Sequence, residues 1–185
     1  MFHRRLDKDI ELRLLELRHA PEVFARIHGC RAYLRVWLPW VDQTQDVADV
    51  EAFIREAIGQ FANGEAVHVG IWYGGVFAGV VGYHLIDLRN RIGEIGYWLG
   101  EAFQGRGIMT KACRAMVAYG FSERGFNRIE MHCAPGNRKS RAIPERLGFR
   151  EEGTLRQAEK LRDCFVDNVV YGLLASEYAE GDEGV

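Results

Sequence analysis

Apolar and polar positions recur along the chain with two different periods, and the switches between them mark out its elements. Ile10, Leu12 and Leu14 alternate with polar neighbours and predict a first strand. The segment from Ala20 to about Leu38 reads as one or two helices that stop before Pro39, because the residue preceding a proline is pushed out of the helical region. From Thr44, read as the N-cap, Val47, Val50, Ile54, Ala57, Ile58 and Phe61 form the stripe of an amphipathic helix that Asn63 and Gly64 end. Three strand-like segments follow, Ala66 to Tyr73, Val76 to Ile86 and Ile92 to Leu99, with Gly74 and Gly75 predicting a tight hairpin between the first two. Met109, Ala112, Cys113, Met116, Val117 and Gly120 then make a helical stripe, followed by a strand from Arg128 to Cys133, a helix from Asn137 to Leu147 and two closing strands. This order predicts an α/β (α+β) chain built on a mixed sheet.

Composition narrows what such a chain can do. No repeat, linker or shift in composition divides the 185 residues, so residues 1–178 read as one domain and 179–185 as a flexible acidic tail. The formal net charge of −2 supplies no field to draw in nucleic acid or an anionic membrane, and neither is expected as a partner. Cys30, Cys113, Cys133 and Cys164 are scattered without a CxxC pair, which predicts reduced thiols and a cytoplasmic protein. The start, MFHRRLDKDIELR, has no apolar stretch of the signal-peptide kind, and no run approaches the roughly 20 apolar residues of a membrane helix. The six histidines, His3, His19, His28, His68, His84 and His132, lack i, i+4 pairing, so no metal site is expected. Trp37 and Trp40 flank Leu38 and Pro39, where they suit packing, the border of a binding groove or a homodimer contact.

The candidate chemistry lies where the third meander strand runs into the next helix, EIGYWLGEAFQGRGIMTKA from Glu94 to Ala112. Gly105 and Gly107 allow the backbone to turn tightly, so that consecutive N–H groups converge where the positive end of a helix dipole also lies. A pyrophosphate would fit there, with Arg106 and Lys111 close by. It is not a nucleotide-hydrolase loop, since GxxxxGK(S/T) is not met. Nor is it a dinucleotide loop, since Thr110 stands where the third glycine of GxGxxG belongs.

QGRGIM at 104–109 resembles the acetyl-CoA pyrophosphate loop of the GNAT N-acetyltransferase superfamily, whose pattern is Q/R-x-x-G-x-G/A. More narrowly, GYWLGEAFQGRGIMTKA, NRKSRAIPERLGF at 137–149 and LRQAEKLRD at 155–163 are similar to the RimJ/RimL branch, which acetylates the N-termini of ribosomal proteins. The resemblance covers nearly the whole chain and implies the GNAT fold, a mixed, mostly antiparallel sheet flanked by helices. It implies acetyl-CoA as co-substrate and no metal. By the same resemblance, the backbone of Tyr97, Trp98 and Leu99 would pair with the pantetheine arm, and amides of Gln104, Gly105, Arg106, Gly107, Ile108, Met109 and Thr110 would hold the pyrophosphate. Asn137 would cap the later helix and bond pantetheine, while Arg138 and Lys139 are candidates to neutralise the adenosine phosphates.

Acetyl transfer needs a neutral amine, a polarised thioester and a proton for the departing thiolate. A protein α-amine has a reference pKa near 8, about two units below lysine, so a modest base suffices. Glu159, within the block that resembles the RimL catalytic glutamate, is the first candidate base. Glu94, on the strand where many GNAT enzymes keep theirs, is the second. Many GNAT proteins donate the final proton from a tyrosine in a Y-E-K-x-G-F block, but here Pro144 stands in its place. Ser140, the serine of a RimL-like N-x-x-S motif, is the candidate acid, one turn before a proline that cannot bond its carbonyl and should disturb the helix. The expected activity is acetylation of a protein N-terminus. Acetylation of a small amine such as a polyamine or amino sugar, and a non-catalytic acyl-CoA-binding module, remain open alternatives.

Overall fold

The computed structural model describes residues 3–181. Strands β1 (His3–Arg5), β2 (Ile10–Leu14), β3 (Val67–Tyr73), β4 (Val76–Asp87) and β5 (Ile92–Leu99) pair antiparallel in chain order. Next to β5 comes β6 (Arg128–Cys133), in parallel, and then β8 (Cys164–Leu174) and β7 (Arg150–Leu161), giving the order β1-β2-β3-β4-β5-β6-β8-β7. A parallel neighbour requires a crossover, which helix α4 (Ile108–Ser122) supplies. The remaining helices are α1 (Ala20–Gly29), α2 (Arg31–Leu34), α3 (Val47–Asn63), α5 (Arg138–Arg146) and α6 (Ala175–Gly181).

Each sheet face has its own core. On one face, Ile108, Ala112 and Met116 of α4 and Ile143 of α5 pack with Val81, Tyr83, Ile95, Ile129 and Met131. On the other, Val23 and Ile27 of α1 and Val50 and Ile54 of α3 pack with Trp72, Phe77 and Val80. In β4 every residue from Phe77 to Tyr83 is buried, as a strand covered on both faces must be. The second cluster takes no residue from β6, β7 or β8.

Local sequence explains the boundaries. The helix expected from Thr44 begins at Val47, and its cap is Asp46, whose carboxylate accepts the Asp49 N–H at 3.1 Å while Asp49 bonds back to the Gln45 and Asp46 amides. A carboxylate matches those orphan donors better than Thr44, whose hydroxyl faces the Trp40 carbonyl instead. Two elements were not foreseen: β1 is three exposed residues without apolar alternation, and α6 has only seven, mostly polar residues. Helix α6 takes in residues 179–181 of the expected tail, and 182–185 lie outside the described residues. No helix among the described residues is long and apolar enough to cross a membrane.

Candidate active site

Strands β5 and β6 pair over only three residues, Ile92–Glu94 with Arg128–Glu130, and then part. From Ile95 to Leu99 one edge of β5 is held by β4, while its other edge pairs with no strand among the described residues. Unpaired backbone donors and acceptors in a sheet invite an extended ligand to complete the ladder. Tyr97, Trp98 and Leu99, predicted from sequence to meet pantetheine, lie along that edge.

The chain leaves β5 through a short 3₁₀ turn, Glu101–Phe103, into Gln104 and the two loop glycines. Gly105 and Gly107 have φ of 73° and 70°, the left-handed region in which a Cβ is costly. Gly107 is the N-cap of α4 and no side chain caps that first turn, so the amides of Ile108, Met109 and Thr110 are available to an anion. The side chains of Ile108 and Met109 are buried in the core and anchor the loop from below. Gln104 donates to the Tyr33 hydroxyl and accepts from Lys139 Nζ at 2.8 Å, linking α2, the loop and α5. The cations nearby differ in orientation. Arg106 lies over the Tyr73 ring at 5.4 Å, and Lys111 pairs with Asp7 at 2.6 Å, a bond that holds the Asp7 carboxyl down to about 2.

On the α4 face of the gap stands an uncharged cluster. Asn137 caps α5 by accepting the Ser140 N–H at 3.2 Å, which leaves its side-chain amide free of that duty. Ser140 Oγ lies 3.1 Å from the Tyr97 hydroxyl and 3.2 Å from Cys133 Sγ. The Tyr97 hydroxyl donates to the Ser140 carbonyl at 3.0 Å. Helix α5 therefore runs through Pro144, and the carbonyl orphaned by the proline finds its partner on β5. Burial pushes the Tyr97 phenol well above its ordinary value and raises the Cys133 thiol, so both remain protonated.

The α1 face carries the charges. Glu94 Oε1 lies 3.3 Å from His84 Nε2 and 3.1 Å from His132 Nδ1, and His132 Nε2 lies 3.1 Å from Glu130 Oε2. Arg128 bonds Glu130 at 2.6 Å and reaches Glu152 beyond it. Burial pushes the Glu94 carboxyl up, but the hydrogen bond from His84 and the charges of His84 and His132 outweigh it, leaving the carboxyl below its usual range. His84 is the extra residue of a bulge between Tyr83 and Leu85, and it lies over Gly96, where a Cβ would come within 2.7 Å of its ring. Spacing along a helix offers no histidine pair. These histidines meet their partners across strands, where the donor atoms of Glu94, Glu130 and His132 fall within 4.8 Å of one another.

Glu159 shares this face. It pairs with Val166 on β8, which alternates with Asn168 and Val170, and Val170 stands opposite His132. Since β6 ends at Cys133 opposite Val169, Glu159 lies toward the open end of the gap. Its carboxylate accepts a long hydrogen bond from Asn168 Nδ2 at 3.4 Å. The fold thus separates the two carboxylates from Ser140 by the thickness of the sheet. Trp40 packs against Trp98 at 5.9 Å between ring centroids, and Trp37 approaches Gly136 in the turn before α5. Sequence reasoning missed Tyr97 as a side chain and also Glu130 and His132. The alternation of Arg128, Glu130 and His132 with Ile129, Met131 and Cys133 already placed the last two on one face, but only strand register could bring Glu94 to them.

A half-open parallel pair that leads from a glycine loop at a helix start to hydroxyl and carboxylate side chains is the arrangement that the resemblance to acyltransferases using a CoA thioester implies. The matches to known proteins specify it further. Residues 9–150 match the acetyltransferase (GNAT) domain family model, and the chain belongs to that family. It is 37% identical over 185 residues, spanning 99% of this chain and 100% of the relative, to YdaF of Bacillus subtilis (strain 168), provisionally named a ribosomal N-acetyltransferase. Among solved structures it superposes on RimL, a ribosomal alpha-N-protein acetyltransferase in complex with coenzyme A, with a TM-score of 0.90 and 27% identity over 95% of this chain and 99% of that one. It also matches the microcin self-immunity acetyltransferase MccE, in complex with acetyl-CoA and AMP, with a TM-score of 0.87 and 30% identity over 91% and 94% of the two chains. The protein is an acetyl-CoA-dependent N-acetyltransferase with the GNAT fold.

Proposed function

We propose that this enzyme acetylates the N-terminal α-amine of a protein, as the alpha-N-protein acetyltransferase RimL is named for doing, and that it does so in the cytoplasm. The observation that carries the reading is the α1 face at the β6–β8–β7 end, which contributes nothing to the apolar cluster and where Glu94, Glu130 and Glu159 hold carboxylates beside the gap. Such a face suits an ammonium group at the end of a flexible chain. An α-ammonium, with a reference pKa near 8, loses its proton there far more readily than a lysine near 10.4.

In the proposed reaction the thioester lies in the gap, its pantetheine arm along Tyr97–Leu99 and its pyrophosphate on the Gln104–Thr110 loop. Asn137 contributes its side-chain amide. Glu159 takes the amine proton, directly or through water. Glu94, already bonded by two histidines and held ionised, attracts the ammonium. The nitrogen lone pair attacks the carbonyl carbon, the C–N bond forms, and collapse of the tetrahedral intermediate breaks the C–S bond. Nitrogen gives up two protons, one through Glu159 to solvent before attack and one from the tetrahedral intermediate. Ser140 delivers a proton to the sulfur and is reprotonated from water, so that in the net change one proton ends on sulfur and one in solvent.

A thiol-release assay decides the acceptor. Peptides with a free N-terminus should react faster than N-terminally blocked peptides containing lysine, and faster than polyamines or amino sugars. Faster turnover of a small amine would favour the second reading, which the likeness to MccE, a neighbour bound to acetyl-CoA and AMP, supports. The loop is tested separately. Gly107→Val places a β-branched residue at a φ of 70°, and acetyl-CoA affinity in a calorimetric titration should fall below detection with the fold intact.

A further inference from the structure

The α4 face of the gap contains a side chain to which the reaction above gives no task. Pro144 has no N–H, so the carbonyl of Ser140 has no partner four residues on within α5. An unpaired carbonyl in a part-buried turn is costly and lets the turn relax. We propose that Tyr97 is the positioning residue for Ser140: from across the gap its hydroxyl supplies the hydrogen bond that Pro144 removes and at the same time fixes the serine side chain.

Two contacts carry this. The Tyr97 hydroxyl donates to the Ser140 carbonyl at 3.0 Å, and its oxygen accepts from Ser140 Oγ at 3.1 Å. One phenol thus grips both the backbone and the side chain of the same residue, and Tyr97 is itself rooted in the β4–β5 ladder opposite Val81. Cys133 Sγ, 3.2 Å from Ser140 Oγ, completes the surround. Burial keeps the phenol and the thiol protonated, so the serine proton is oriented entirely by neutral partners. As negative charge grows on the departing sulfur, the Oγ–H turns from Tyr97 toward it, while the bond to the carbonyl holds the turn of α5 in place. The helix tyrosine of other family members is thereby replaced by two residues, a serine that delivers the proton and a strand tyrosine that aims it. This inference rests on Ser140 being the acid.

The experiment compares Tyr97→Phe, Ser140→Ala, the Tyr97→Phe/Ser140→Ala pair and the Tyr97→Phe/Pro144→Ala pair, with acetyl-CoA and a peptide bearing a free N-terminus. Tyr97→Phe should lower kcat by about fivefold and leave KM for acetyl-CoA within about twofold, the pattern of an interaction that matters in the transition state. In the Ser140→Ala background the same change should cost nothing more. Alanine at 144 restores an N–H to α5, so the Pro144 pair should recover most of the lost kcat. If Ser140→Ala is slow but Tyr97→Phe turns over at the wild-type rate, the positioning role falls and the acid assignment stands. If Tyr97→Phe is slow, additive with Ser140→Ala and not rescued at 144, the positioning role is likewise overturned. Wild-type turnover in Ser140→Ala overturns both. Should Tyr97→Phe melt too low to assay, the rescue is read in Tm: the Pro144 pair must melt above Tyr97→Phe, and an equal or lower Tm refutes the proposal.

Discussion

On the two sides of one gap the sheet carries opposite chemistry. Toward α4, the groups around Ser140 are a phenol and a thiol, kept neutral by burial and pointed at one another within 3.0 to 3.8 Å. Toward α1, the groups are Glu94, Glu130 and Glu159, tied to His84, His132, Arg128 and Asn168 at the β6–β8–β7 end, which adds no residue to the apolar cluster of that face. The same alternation along β5 and β6 produces both, since neighbouring residues of a strand face opposite ways. A transfer that must remove a proton from nitrogen and give one to sulfur is served by that separation. In the proposed reaction a carboxylate on one side takes up the amine proton, and neutral donors on the other would meet the developing thiolate.

The sharpest way to break this contrast is to neutralise the charged side. Glu159→Gln keeps the shape and removes the base, and turnover should fall by about 10²-fold or more with acetyl-CoA affinity unchanged. If stopped-flow turnover with a peptide acceptor stays at the wild-type level, Glu94 becomes the base and Glu94→Gln the decisive variant. On the neutral side the loss should be smaller. Ser140→Ala should cost about tenfold, below the usual span for acid–base catalysis because water can substitute, and the deficit should shrink for acyl donors with a more acidic thiol. A deficit independent of the thiol would show that the hydroxyl serves structure alone.

A third prediction concerns stability on the α1 face. His68 packs against Phe53, and burial, then the nearby His84, lower its pKa to about 4. The unfolded chain therefore binds more protons than the folded one between about pH 6.5 and about pH 4. Stability is full above that window and is lost as pH falls through it. Because the ring is half-buried, the loss should be only about 1 kcal/mol after allowance for screening by water. His68→Phe should flatten that slope in denaturant titrations at pH 7, 5.5 and 4, and an unchanged slope would remove His68 as its source.

Much of this molecule was legible before folding. Strand β6 was placed at its observed ends because three apolar residues alternate there with three polar ones, and β3 to β5 because of their apolar runs and the Gly74–Gly75 turn. The conformation of the glycine loop was legible because glycine at a positive φ before a helix is a purely local requirement, met at Gly105 and Gly107. The cap of α3 was misplaced by two residues because Thr44 and Asp46 are both competent caps, and only the reciprocal bond to Asp49 selects between them. Pro144 announced an orphaned carbonyl at Ser140, but nothing near it in the chain could reveal its partner.

Periodicity, turn residues and motif spacing reach only as far as one element and its neighbours, and within that reach the chain determined its helices, its strands and the glycine loop before α4. The tertiary structure alone decided which residues meet across the gap. Tyr97 reaches Ser140 from 43 positions away because β5 and β6 part after Glu94, and Glu94 meets His132 because a parallel register aligns it with Glu130. Register is set by how whole faces bury their apolar side chains, a collective quantity that no local segment contains.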